Sequence, residues 1–249
     1  KPIKAKDLET KSGVSSAVIK ALVYKNVFEF YHVKTDRISY KGETNDLKQL
    51  NEFQEQALQE IKTTFETKEV TLLHGITSSG KTEVYTKLIQ DVLDEGKQAL
   101  FLLPEIALTT QIIGRLQHYF GNQISVFHSR YSMNERVEVW NNVLENKPKA
   151  QIILGARSSI FLPFKNLGLI VVDEEHETSY KQFEPSPRYN ARDAAIVLSH
   201  MHQGKILLGS ATPSLESYFN AKENKYGFVE LNRRFGNVKL PEIHLVDIK

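Results

Sequence analysis

Six apolar runs, at 70–73, 99–103, 124–127, 151–154, 167–172 and 206–208, are separated by stretches in which apolar residues recur at helical spacing. Runs this short, rich in Val, Ile and Leu and bounded by turn residues, are what strands buried on both faces look like. Their alternation with amphipathic helices predicts an α/β fold, a mostly parallel sheet wrapped by helices, with function at the carboxyl ends of the strands. Two further runs, 228–231 and 243–246, are candidates for peripheral strands.

The first 42 residues have a different texture. Residues 5–9 read as a short helix and Lys11-Ser12-Gly13-Val14 as a turn. Ser15 is placed to cap a second helix that carries Val18, Ile19, Leu22 and Val23 at helical spacing. Residues 27–33 and 38–40 follow as strands around the polar turn 34–37. Helix, tight turn, helix and hairpin is the order of a winged helix-turn-helix, although a helical cap on the following domain fits the same pattern. The expected layout is therefore a small winged-helix domain at 1–42, a polar linker at 43–49, a large α/β domain at 50–236 and a connecting segment at 237–249.

Composition narrows the classes. With 249 residues, 41% hydrophobic and 25% charged, the chain can bury one sizeable core and a small second domain. No stretch approaches the roughly 20 apolar residues of a membrane span, so no membrane association is expected and a cytoplasmic location is. There is no cysteine, and the eight histidines lack ligand-pair spacing, which argues against a disulfide or zinc framework. Net charge is only +2, but residues 1–49 hold ten Lys/Arg against six Asp/Glu, while the remainder holds 22 against 24. Unaided attraction to phosphate is thus expected to be strongest near the N-terminal end.

The sharpest chemical signal is Gly75-Ile76-Thr77-Ser78-Ser79-Gly80-Lys81-Thr82, which follows the run 70–73 and opens a helical pattern. Small residues there let backbone N–H groups curl around phosphate oxygens at a helix N-terminus whose dipole favours anions. Gly75, Thr77, Ser78, Ser79 and Gly80, with the neighbouring Glu83, are candidate nucleotide-binding residues. Lys81 would reach the β- and γ-phosphates and Thr82 a Mg2+ ion. Asp173-Glu174-Glu175-His176 directly follows the run 167–172. Beside a phosphate loop, Asp173 would hold the Mg2+ through its water shell and Glu174 would accept the proton of the attacking water. Alone, such an acidic cluster is more often a solvated loop. Gly209-Ser210-Ala211-Thr212-Pro213 follows the run 206–208; its hydroxyls could link the metal site to a moving part, or the segment could be a plain strand-to-helix turn.

A phosphate loop, DEEH and SAT in this order resemble the motifs of superfamily 2 helicases. The connecting sequences GITSSGKTEVY, LLPEIALTTQ, GARSSIFLPF, DEEHETSYKQ, PRYNARD and LGSATPSLES are similar to the PriA family of bacterial primosomal replication-restart helicases, across about two thirds of the chain. The resemblance implies a RecA-like motor lobe using ATP and Mg2+, a 3′-to-5′ helicase activity at abandoned forks, and forked and single-stranded DNA as partners. It also implies contacts with other primosome proteins and single-strand DNA-binding protein, in a monomer. Ser78 stands where the family usually has glycine, and only a local backbone adjustment is expected there.

The resemblance further implies that Gln54 reads adenine, where the bland alternative is an exposed polar helix. The stretch 178–192, with Tyr180, Lys181, Phe183, Arg188 and Tyr189, is similar to an aromatic-rich loop that engages DNA, since aromatic faces stack on unpaired bases and cations neutralise phosphates. Pro104, Glu105 and Thr109, with Arg157 and Ser158, fall where related motors touch the single-strand backbone. A second lobe carrying an arginine finger and a cysteine-rich zinc module would lie outside this sequence, so the piece alone is expected to bind nucleotide and hydrolyse it poorly. Two rival classes remain open at this stage: a P-loop kinase or GTPase with a fortuitous DEEH, and a non-catalytic DNA-binding module.

Overall fold

The computed structural model describes residues 3, 5–29, 42, 44–107, 110–129 and 131–234. The chain divides into two compact units, Lys1–Arg37 and Ile38–Lys249.

In the first unit, helix α1 spans Ala5–Ser12 and α2 spans Ser16–Tyr24, with Ser15 in extended backbone as the N-cap of α2. The turn between them contains Gly13 at φ 68°, a conformation that favours glycine, and Ile19 is buried. α1 runs three residues past the expected end. Residues 27–29 form no strand; the rest of the expected hairpin, at 30–41, lies outside the described residues.

The second unit carries a seven-stranded sheet. Its strands, with the helices between them, are α3 (Glu52–Thr67), β1 (Val70–Gly75), α4 (Lys81–Asp94), β2 (Gln98–Leu102), α5 (Thr110–Phe120), β3 (Ile124–Phe127), α6 (Met133–Leu144), β4 (Ile152–Gly155) and β5 (Leu167–Asp173). A two-stranded hairpin, β6 (Lys181–Gln182) and β7 (Tyr189–Asn190), precedes α7 (Ala191–Met201), β8 (Lys205–Ser210), α8 (Leu215–Lys222) and β9 (Gly227–Leu231). The order across the large sheet is β3-β4-β2-β5-β8-β1-β9, with every pairing parallel.

The expected α/β class and parallel sheet are what the fold shows, each of the six apolar runs falling on a strand, with only Leu103 and Gln151 just outside β2 and β4. The run 228–231 joins the same sheet as its edge strand beside β1, and 243–246 lies outside the described residues. Alternate residues of each strand serve opposite faces. Leu73, Phe101, Val171 and Leu207 meet α3, α4 and α5 on one side, while Leu72, Leu100, Ile170 and Leu208 meet α6, α7 and α8 on the other. Each of these strand residues is fully buried, a contribution of about 1.5–3 kcal/mol apiece before chain entropy is counted. Among the described residues no helix is long and apolar enough to cross a membrane.

This order positions the chemistry. β5, β8 and β1 are consecutive and parallel, so the loops that leave their carboxyl ends emerge side by side. Those loops hold the glycine-rich segment, the acidic cluster and the Ser210-Ala211-Thr212 turn.

Candidate active site

β1 ends at Gly75, and the chain turns through Thr77 and Ser78 to Gly80, the N-cap of α4. Ser78 at φ 65° and Gly80 at φ 85° curl this segment, both in the left-handed region. A Cβ on Gly80 would stand 2.1 Å from Nε2 of Gln54, so the position has no room for a larger residue. Ser78 keeps the glycine-like conformation instead of adjusting away from it, at a local cost of about 1–2 kcal/mol. Lys81 and Thr82 open α4 and leave their backbone N–H groups at its N-terminus. Lys81 Nζ donates to the Gly75 carbonyl at 2.9 Å and lies 3.9 Å from Glu174 Oε1. The Ser79 hydroxyl is buried without a partner. A cavity of about 400 Å3 is lined by residues 77–82 together with Gln54, Glu83, Arg115, Asp173 and Glu174. Glu83, in the first turn of α4, is paired with Arg115 of α5.

Gln54 is 1% exposed, which removes the reading of that position as an exposed polar helix. Its Oε1 accepts from the Asn51 backbone N–H at 3.0 Å, completing a capping box at the start of α3, and its Nε2 donates to the Ser79 carbonyl at 3.1 Å. Both ends of the amide are thus engaged, the oxygen in capping α3 and the nitrogen in holding α3 to the phosphate loop. One N–H and one lone pair of the amide remain beyond these two bonds.

Asp173 ends β5 and accepts a hydrogen bond from Tyr85 Oη on Oδ1 at 3.0 Å. Burial, with the neighbouring Glu174 carboxylate, pushes its acid up to about 6, against the opposing pull of the Tyr85 hydroxyl and Lys81. Glu174 follows at φ 48°, a left-handed conformation rarely taken by a non-glycine residue. Its neighbours hold it there. The Asp173 carbonyl accepts from the Tyr180 hydroxyl at 2.7 Å, and the Glu175 N–H donates to the Gly209 carbonyl at 3.1 Å.

Glu175 and His176 complete the cluster with roles that the sequence reading did not assign. The Glu175 side chain is fully buried and accepts from Ser214 N–H at 2.6 Å, Ser217 Oγ at 2.8 Å and Arg192 Nη1 at 3.1 Å. His176 Nδ1 lies 2.8 Å from Ser210 Oγ, and its Nε2 lies 3.4 Å from Thr212 Oγ1. The SAT segment at the end of β8 is therefore hydrogen-bonded to the acidic cluster at the end of the neighbouring β5 and is more than a plain turn.

The residues expected to meet DNA divide into two groups. Tyr180 requires a correction: it is 1% exposed, packed in the core beneath the acidic cluster with its hydroxyl on Asp173, and has no free face for a base. Burial outweighs its membership of an aromatic-rich loop. Lys181, Phe183 and Arg188 are exposed on the hairpin and its connection, and Lys181 Nζ lies 5.0 Å above the Phe183 ring. Tyr189 is half-buried and stacks edge-on against Phe161 at 5.0 Å. Phe161, 55% exposed, was missed; it lies in the quoted segment GARSSIF, but only its exposure distinguishes it from a core aromatic. Arg157 and Ser158 begin the same short 3-10 turn, and Arg157 donates to the carbonyls of Ser179 and Lys181, both at 3.4 Å, so it braces the loop. Glu105 is exposed and accepts from Ser129 Oγ, Pro104 is buried, and Thr109 lies outside the described residues.

A left-handed turn at Ser78 and Gly80 ahead of a helix N-terminus, a buried and unpartnered Ser79 hydroxyl, an ammonium and a carboxylate pair make a donor set that fits a nucleotide triphosphate with Mg2+. Among the described residues no group of three or more His, Cys, Asp or Glu side chains could hold a metal by itself. Mg2+ characteristically binds through one or two protein ligands plus phosphate oxygens and waters, and Thr82 and Asp173 are available for that.

Residues 51–220 match the family model for the DEAD/DEAH box helicase. The chain is 41% identical to replication restart protein PriA of Bacillus subtilis (strain 168), over 99% of its own length and 31% of that protein. It is 46% identical to replication restart protein PriA of Rickettsia felis, over 81% of its length and 30% of the relative. The chain thus spans less than a third of the length of these two curated relatives. Among solved structures, RecG bound to a three-way DNA junction aligns with a TM-score of 0.56 at 21% identity, covering 91% of this chain and 27% of that one, a likeness of fold.

Proposed function

Because this chain belongs to the DEAD/DEAH box helicase family, we propose that it is the ATP-binding motor lobe of a 3′-to-5′ DNA helicase that acts at stalled or abandoned forks in primosome assembly and replication restart. One observation carries the reading. The ammonium of Lys81 and the carboxylates of Asp173 and Glu174, 92 and more residues away in sequence, line one cavity at the ends of adjacent parallel strands. Relatives 41% and 46% identical over 99% and 81% of this chain bear the name replication restart protein PriA, which supports the biological setting.

In this reading the N–H groups of Gly80, Lys81 and Thr82 bind phosphate oxygens, and Lys81 leaves Gly75 and Glu174 to reach the terminal phosphates. Thr82 Oγ1 and Asp173 are the residues that would hold Mg2+, which when bound would supply positive charge against the negative charge of the phosphates. Glu174 accepts the proton from the attacking water. His176, bonded to Ser210 and Thr212, carries the state of that acid pair toward α8. Phe161, Phe183 and Tyr189 offer faces to unpaired bases, with Lys181, Arg188 and Arg157 beside them for the backbone. Residues 1–42 serve as a winged-helix contact to forked DNA, with primosome proteins and single-strand DNA-binding protein as the protein partners.

The direct test is Lys81→Ala in the full-length protein. Loss of ATP-dependent strand separation is expected, with fork binding retained; unwinding at the wild-type rate would remove the assignment.

A further inference from the structure

The phenol of Tyr85 has no role in the proposed mechanism, yet it reaches the centre of the site. It lies on α4 four residues after Lys81, so the helix face that presents Lys81 to the phosphates presents Tyr85 to the sheet beneath. The ring is completely buried and is fixed by three consecutive strands. On β2, Phe101 packs edge-on at 5.6 Å and 80°. On β8, Gly209 gives way: a Cβ there would fall 1.8 Å from the Tyr85 hydroxyl and 2.9 Å from Cζ. On β5, the hydroxyl donates to Asp173 Oδ1 at 3.0 Å. Burial, joined by the charge of Asp173, pushes the phenol well above its ordinary range, so it remains a donor.

Carboxylates of this kind are free to rotate about their last torsion, which is broad and roughly two-fold. A donor locked in the core removes that freedom at Asp173. We propose that Tyr85 is a positioning residue that fixes the Asp173 carboxylate for the divalent cation, and that Gly209 is glycine because the phenol needs its space. This rests on the reading of the cavity as a Mg2+-nucleotide site. The role differs from support of the phosphate loop, because among the described residues the Tyr85 hydroxyl bonds to Asp173 and to neither the loop backbone nor the lysine.

The experiment is a fluorescence titration of the full chain with labelled ADP, in EDTA and in Mg2+, for the wild type, Tyr85→Phe, Asp173→Asn and the double variant. Phe retains the ring and its packing and removes only the donor. The expected result is a Mg2+ enhancement of affinity in the wild type, about tenfold smaller in Tyr85→Phe, with affinity in EDTA unchanged within about twofold, as suits the loss of one hydrogen bond to a charged group. In the Asp173→Asn background, Tyr85→Phe is expected to change nothing further. A Tyr85→Phe enhancement equal to wild type overturns the inference alone, as does an equal loss with and without Mg2+. No Mg2+ enhancement in the wild type overturns the cavity reading and the inference with it.

Discussion

Asp173 supplies a prediction in which function and stability pull apart. Its carboxyl is raised from 3.8 to about 6, chiefly by burial and next by Glu174. A folded-state acid weaker than its unfolded counterpart binds more protons when native, so its contribution to stability falls as pH rises from the unfolded value and levels off above the folded one. The full shift corresponds to about 3 kcal/mol at neutral pH; since Asp173 is only partly shielded from solvent, about 1–3 kcal/mol is the working figure. Asp173→Asn removes the charge and keeps an oxygen for the Tyr85 hydroxyl. The variant is therefore expected to be more stable than wild type by that amount at about pH 7.5, a rise of roughly 3–8 °C in the unfolding midpoint of a chain of this size. At about pH 5 the gain should be roughly half as large. Urea and thermal unfolding in EDTA, without nucleotide, measure both. A variant no more stable at neutral pH, or one whose gain is the same at both, refutes the reasoning.

Other outcomes follow from the same coordinates. Glu175→Ala strands Arg192, whose side chain is only 11% exposed, and should cost about 3–5 kcal/mol in urea unfolding, whereas adding Arg192→Ala to it should cost much less than Arg192→Ala does alone. Phe161→Ala and Phe183→Ala in the full-length protein should each weaken single-stranded DNA binding by about 1–3 kcal/mol by fluorescence anisotropy, without altering nucleotide affinity; unchanged DNA affinity would remove these two rings from the proposed surface.

The strands were legible because burial on both faces writes an uninterrupted apolar run into the sequence, as at 124–127, where the run and β3 coincide. The phosphate loop was legible for a related reason: its backbone does the work, and backbone curvature restricts residue type locally. Side-chain partnerships spanning tens of residues leave no such trace. The Tyr85 bond to Asp173 crosses 88 positions and the Glu175 bonds to Ser214 and Ser217 cross 39 and 42. Tyr180 misled because its composition suits a solvent-facing stacking loop, while the hydrogen bond that draws it inward belongs to Asp173. Gln54 carried both a local signal and a distant one. The capping box with Asn51 is readable three residues apart; the grip on Ser79 is not.

β8 lies between β1 and β5, so the two walls of the cavity are not each other's neighbours in the sheet. Every backbone bond that fixes the spacing between lysine wall and acid wall passes through the strand that ends in Ser210. A change in that spacing, whatever drives it, cannot be absorbed by the two walls alone; the intervening strand end has to shift, and with it the start of α8. The wedge that sets the width of the cleft is thus also its outgoing lever.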